Sequence, residues 1–235
     1  MLTNSIVFSR KNNTPSTNIF LGNQAIEKCK IVRDLGVILD SKLTFVDHYN
    51  TIINKANCML GFIKRFSYNF QDAYTIKLLY ITYVRPILEY CSIVWNPHIV
   101  LHEERIESVQ KQFLLYALRK LNWTAFPLPS YKSRCMLINI QTLKERRESA
   151  MLYFINDIIS QRVQSSSLLS QLNFYVPCRH LRTRKLFLEN TYRTNYAKNS
   201  PINQMMRHYN QFCEFIDITM SRIQIKTRLT SRNNR

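Results

Sequence analysis

A mostly α-helical fold with a small antiparallel β element at its N-terminus is what this sequence predicts, and three observations predict it. Only 3 of 235 residues are glycine, where average usage of ~7% would give roughly sixteen. That scarcity argues against folds built on tight left-handed turns or close backbone approach, such as Rossmann sheets, P-loops and hairpin-rich sandwiches. The apolar pattern changes at Thr44 from short β-favouring runs to helical spacing. Finally, 13 Tyr and 13 Phe provide the core material that a disordered chain lacks.

Over residues 1–43, Ser5 to Phe8 and Asn18 to Leu21 read as strands, with Gly22-Asn23 as a turn. Ala25-Ile26 and Lys30 to Val32 lead into a further strand, Leu35 to Leu39. Two or three strands alone are marginally stable, so this segment is expected to be the edge of a larger β structure. From Thr44, Val46, Tyr49, Ile52, Ile53, Ala56, Met59, Leu60 and Ile63 form one apolar stripe. Asp72 is placed to cap a second helix bearing Ile76, Leu79, Tyr80 and Tyr83, expected to stop before Pro86. Ile87 to Trp95 is a short apolar segment ended by Pro97. A third amphipathic helix carries Ile106, Val109, Phe113, Leu114, Ala117, Leu118 and Leu121. These helices make a bundle over 44–126. The Pro127–Pro129 corner separates it from a basic helical region at 131–235. There Tyr131 to Leu137 and Thr142 to Ile159 are helical in pattern. Met205 to Ile223 reads as one last long helix.

Charge bounds the function. Lys and Arg number 33 against 15 Asp and Glu, a net +18. Residues 1–130 carry fifteen basic and nine acidic side chains, and 131–235 carry eighteen and six. Such an excess favours a polyanionic partner, nucleic acid before a membrane surface. The densest basic run is Arg179, Arg182, Arg184 and Lys185, with Arg193 and Lys198 beyond it and Tyr192 and Tyr196 interleaved. Cations pair with phosphates while aromatics stack on exposed bases. Arg146-Arg147 and Lys64-Arg65 are shorter versions. A solvated face is the structural alternative for each.

Catalytic patterns are absent. No Asp-Asp pair occurs, and the one adjacent acidic pair, Glu103-Glu104, suits a helix start. Two-metal phosphoryl chemistry needs clustered carboxylates, so neither a metal site nor catalytic residues are expected. Ile106 stands where a zinc-protease motif beginning at His102 would need its second His. Six cysteines lie far apart, which suits reduced and mostly buried thiols rather than a zinc knuckle. No stretch is apolar and long enough to span a bilayer and no secretion signal is evident, so an intracellular, nuclear or cytoplasmic chain is expected.

The run Asp34-Leu35-Gly36-Val37-Ile38-Leu39-Asp40-Ser41-Lys42-Leu43-Thr44-Phe45, followed by His48, Ile52, Lys55 and Ala56, carries a resemblance. So do Leu79-Tyr80, Val84-Arg85-Pro86-Ile87-Leu88-Glu89-Tyr90, Val94-Trp95-Asn96-Pro97 and Ile106 to Phe113. Leu143 to Arg147, Ser200-Pro201-Ile202-Asn203 and Tyr209-Asn210 continue it. Together they resemble the region after the catalytic motifs of a jockey-like non-LTR retrotransposon reverse transcriptase. The resemblance implies that residues 1–43 end the palm, with Leu35, Gly36 and Val37 matching the primer grip. It implies a thumb over 44–126 and a nucleic-acid-holding extension over 131–235. The fingers and the Tyr/Phe-x-Asp-Asp signature of that family have no counterpart here. The expectation is therefore a fragment of an RNA-directed DNA polymerase that binds RNA or an RNA–DNA duplex and does not polymerise by itself. Mg²⁺ is expected only in a full-length polymerase. The alternative from a different class is a basic helical scaffold or protein-interaction module.

Overall fold

In the computed structural model the described residues are 4–10, 19–70, 72–123, 127–176 and 185–233. The N-terminal strands are β1 (Asn4–Ser5), β2 (Phe20–Leu21), β3 (Gln24–Ala25), β4 (Glu27–Lys28), β5 (Ile31–Asp34) and β6 (Val37–Asp40). They make three separate pairs. β2 and β3 form an antiparallel hairpin around Gly22-Asn23, and β5 and β6 form another, Ile31 facing Asp40 and Asp34 facing Val37. β1 pairs with β4 in parallel, which the sequence pattern did not foretell. The expected strand beyond Ser5 is not formed, although Ser9 N–H still donates to Ser41 O at 2.9 Å. Ile26 likewise lies between strands rather than within one.

Helix α1 (Val46–Phe66) buries most of the predicted stripe, Tyr49, Ile52, Ile53, Ala56, Leu60 and Ile63, while Val46 is exposed and Met59 only half-buried. Its entry is organised by Asp40, whose carboxylate accepts from the N–H groups of Thr44 at 2.8 Å and Phe45 at 2.9 Å and from the Thr44 hydroxyl. Burial alone would raise this carboxyl's pKa, but those hydrogen bonds outweigh it and hold the group below its ordinary value. Asp72 caps α2 (Ala73–Leu79), accepting from Tyr74 and Thr75 N–H. The helix does not stop before Pro86. It passes through a π turn at Tyr80–Val84 into α3 (Arg85–Glu89). There Arg85 N–H reaches back five residues to Tyr80 O. A proline removes one ladder donor and its ring crowds the carbonyl four residues back, and a widened turn accommodates both.

Beyond these lie α4 (Ser92–Trp95), α5 (Val100–Lys120), α6 (Tyr131–Ile138), α7 (Leu143–Ile159), α8 (Ser166–Leu169), α9 (Asn195–Lys198), α10 (Pro201–Phe212) and α11 (Arg222–Asn233). The expected continuous helix over 205–223 is two helices. Asn156 donates to the Ile218 and Met220 carbonyls in the break. Ser221 and Gln224 then restart the helix with reciprocal side-chain-to-backbone bonds.

Packing divides the chain into two units, Met1–Cys91 with Lys111–Ala125, and Ser92–Gln110 with Phe126–Arg235. This differs from a boundary at the 127–129 corner alone. The reason lies in α5, whose 21 residues bury Ile106 and Val109 in one unit and Phe113, Leu114, Ala117 and Leu118 in the other. In the first unit α1 packs on β6, the π turn and α3, and Tyr80 stacks on Phe113 with ring centroids 4.0 Å apart.

In the second unit α7 is central, against α4, α10 and α11. Its core gathers Met151, Leu152 and Ile155 with Phe187, Met205, Tyr209 and Ile225. Glu107, buried, holds the start of α7 by accepting from Leu143 and Lys144 N–H, from the Tyr131 hydroxyl and from Arg147 Nη2 at 3.5 Å. A carboxylate there also suits the positive end of the helix dipole. Among the described residues no helix is long and apolar enough to cross a membrane.

Candidate nucleic-acid interface

The best-defined basic cluster sits in the first unit, where α1 and the last turns of α5 end side by side. The Tyr116 hydroxyl bonds Ser67 Oγ at 2.9 Å and donates toward the carbonyls of Lys64 and Ser67. Ser67 Oγ donates to Ile63 O at 2.7 Å. This knot satisfies carbonyls that the end of α1 would otherwise leave open, and it ties the two helix ends together.

Four cations collect there: Lys64 and Arg65 in the last turn of α1, Arg119 and Lys120 in that of α5. Burial, and then the Arg119 charge, push the Lys64 ammonium below its ordinary value. Lys120 Nζ donates to Tyr68 O and lies over the rings of Tyr68 at 5.4 Å and Tyr116 at 5.8 Å. Among the described residues none of the four pairs with a carboxylate. Helix dipoles favour a cation at each C-terminus, but the closeness of Lys64 and Arg119 is a repulsion that an added anion would relieve. Phe62, Phe66 and Tyr68 stand exposed beside them.

The β5–β6 turn of the same unit falls at Leu35-Gly36, which the sequence pattern places inside a strand; that strand begins only at Val37. Leu35 has φ 43° and Gly36 φ 87°, the pair of positive φ values a type I′ turn requires. Leu35 is 82% exposed, and its carbonyl accepts from the Tyr90 hydroxyl at 2.9 Å. A Cβ on Gly36 would approach the Tyr90 ring to 3.3 Å. Val37 is buried. The Leu35-Gly36-Val37 segment thus presents one apolar side chain to solvent and anchors the next strand by another.

In the second unit the predicted residues scatter. Arg147 is 2% exposed. Its Nε donates to Asn96 Oδ1 at 3.2 Å and its Nη2 faces Glu107. It serves the interior, so Arg146-Arg147 is not a shared surface pair; Arg146 is half-buried. A cavity of about 250 Å³ includes Lys144, Arg147 and Arg207 in its lining, but Glu103 and Glu148 alternate with them. Lys144 bonds Glu103 at 2.9 Å. Lys185 is exposed and pairs with Glu189 at 3.6 Å. Its segment is fixed by Asn210, which accepts from Leu186 and Phe187 N–H and donates to Phe187 O. Arg193 is exposed. Arg179, Arg182 and Arg184 lie outside the described residues.

Sequence reasoning missed the contribution of Arg119 and Lys120, which belong with Lys64 and Arg65 only once the helices pair. Their position at the end of an amphipathic helix was the available signal. Of the cysteines, Cys135 is buried, Cys29, Cys91 and Cys213 are half-buried and Cys58 is exposed, all as free thiols. Among the described cysteines the expectation of mostly buried thiols holds for Cys135 only; Cys178 lies outside the described residues. Comparison with protein-family models, with curated proteins and with solved structures finds no match to this chain.

Proposed function

We propose that this chain binds RNA or an RNA–DNA duplex through charge, as the nucleic-acid-holding part of a retrotransposon-type RNA-directed DNA polymerase. The observation that carries the reading is the cluster of Lys64, Arg65, Arg119 and Lys120, gathered by the Ser67–Tyr116 knot without carboxylate partners among the described residues. Phosphates would complete it, and each phosphate neutralised releases counterions. The exposed Leu35 turn, in the same unit, agrees with the primer-grip-like role that the resemblance implies. The +12 of residues 131–235 would add a second, broader attraction.

Salt titration of binding to a mixed-sequence duplex tests this. Affinity falls with log salt at ~0.9 per phosphate contact on duplex and ~0.7 on single strands. Replacing Lys64, Arg65 and Arg119 with Gln lowers that slope by about two to three. The change of Arg179, Arg182, Arg184 and Lys185 to Ala lowers it by about two to four if the C-terminal run also touches phosphate. No binding at low salt to either the duplex or single-stranded RNA refutes the reading and favours the scaffold alternative.

A further inference from the structure

We propose that the exposed rings of Phe62 and Phe66 bind unpaired bases, so that the basic end of α1 takes single-stranded nucleic acid in preference to duplex. This rests on the nucleic-acid reading above and adds the form of the strand. Phe62 and Phe66 are 55% and 59% exposed. They stand one helical turn apart, with ring centroids at 6.0 Å and planes only 11° apart. Phe70 meets Phe66 edge-on at 5.6 Å, a contact that steadies the ring without covering it. Arg65 occupies the sequence between the two rings. Lys120 lies over Tyr68, which is itself largely exposed.

A site for duplex needs cations and no rings, since paired bases are already stacked inside the helix. Adjacent rings with cations beside them match a strand whose bases are free, where each ring offers a stacking face and each cation a phosphate partner. Charge also chooses between occupants. A second copy seated ring to ring would bring together two sets of cations without carboxylate partners among the described residues, on a chain of net +18, whereas a polyanion neutralises them.

The test compares a short labelled RNA single strand with the matching RNA–DNA duplex, using anisotropy on the full chain. The parent should hold the single strand more tightly. Phe62→Leu with Phe66→Leu should weaken single-strand binding about tenfold or more while moving duplex affinity less than about twofold. Phe66→Trp, with a wider π face, should keep or tighten single-strand binding, and circular dichroism should show both variants as helical as the parent. Equal loss on both ligands, or no loss on either, overturns the proposal. Duplex binding without single-strand binding also overturns it and leaves the broader reading standing; no binding to either ends both. Self-association of the parent that the double Leu variant abolishes would identify the rings as an interface between copies and overturn it as well.

Discussion

At the scale of single residues, the hairpin that leads into α1 concentrates the informative chemistry. Leu35 holds a left-handed backbone that costs a branched side chain about 1 kcal/mol. Asn tolerates that region, so Leu35→Asn is expected to stabilise the chain by about 0.5–1 kcal/mol, read as a raised midpoint in thermal melts. A lowered midpoint would mean that the exposed leucine supports the fold. His48 adds a pH dependence. It is buried, and its Nδ1 accepts from Ile38 N–H at 3.3 Å. Burial, and then the Arg33 charge, lower its pKa below the ordinary 6.5. Between the lowered value and 6.5 the unfolded chain binds more protons than the folded one. Stability therefore falls as pH drops through that window and levels off below it. His48→Gln, which accepts a hydrogen bond but does not titrate, is expected to flatten this part of a melting-temperature profile against pH. An unchanged profile would assign the titration elsewhere. Asp40 acts lower on the scale: its contribution is present above about 3.8 and is lost as pH falls through its depressed folded value.

At the scale of elements, helix starts were legible and helix ends were less so. Thr142 and Glu145 form a capping box on α7, Ser130 caps α6 and Asp72 caps α2; each is a side chain acting within three residues of itself. The continuation past Pro86 depends on a π turn, and the break before α11 on Asn156, more than sixty residues earlier in the chain. Even so, Ser221-Arg222-Ile223-Gln224 carried the S-x-x-Q signature of a new start inside the predicted long helix. Ser221→Ala is expected to cost about 1 kcal/mol and to fray α11. The readout is faster amide exchange at its first turns, while Ile225 and Leu229 keep the rest of the helix docked. Exchange unchanged from the parent would show that packing alone holds this helix start.

At the scale of the whole molecule, composition was a good guide to fold class and a poor guide to which cations are available. Scarce glycine and helical apolar stripes led to a mostly helical chain, as observed. At Arg146-Arg147, adjacency in the sequence did not lead to adjacent basic groups in space. Arg147 follows Arg146 by one position, which on a helix turns the side chain by about 100°. One guanidinium is thereby sent to Glu107 and Asn96 inside the second unit. Lys64 and Arg119 are more than fifty positions apart, yet come close because helix ends pair.

The sequence alone determined most of the helix stripes, the Asp72 cap, the two-residue turn at Gly22 and the sign of the charge. Each of these follows from interactions within a few residues, where periodicity and side-chain chemistry suffice. Only tertiary structure decided that Tyr116 closes the end of α1, that α5 serves two units, that Asn210 fixes the segment after the basic run, and that Arg147 is interior. Those outcomes rest on contacts between residues 23 to 52 positions apart, or on which half of one helix is buried where. No local pattern records them.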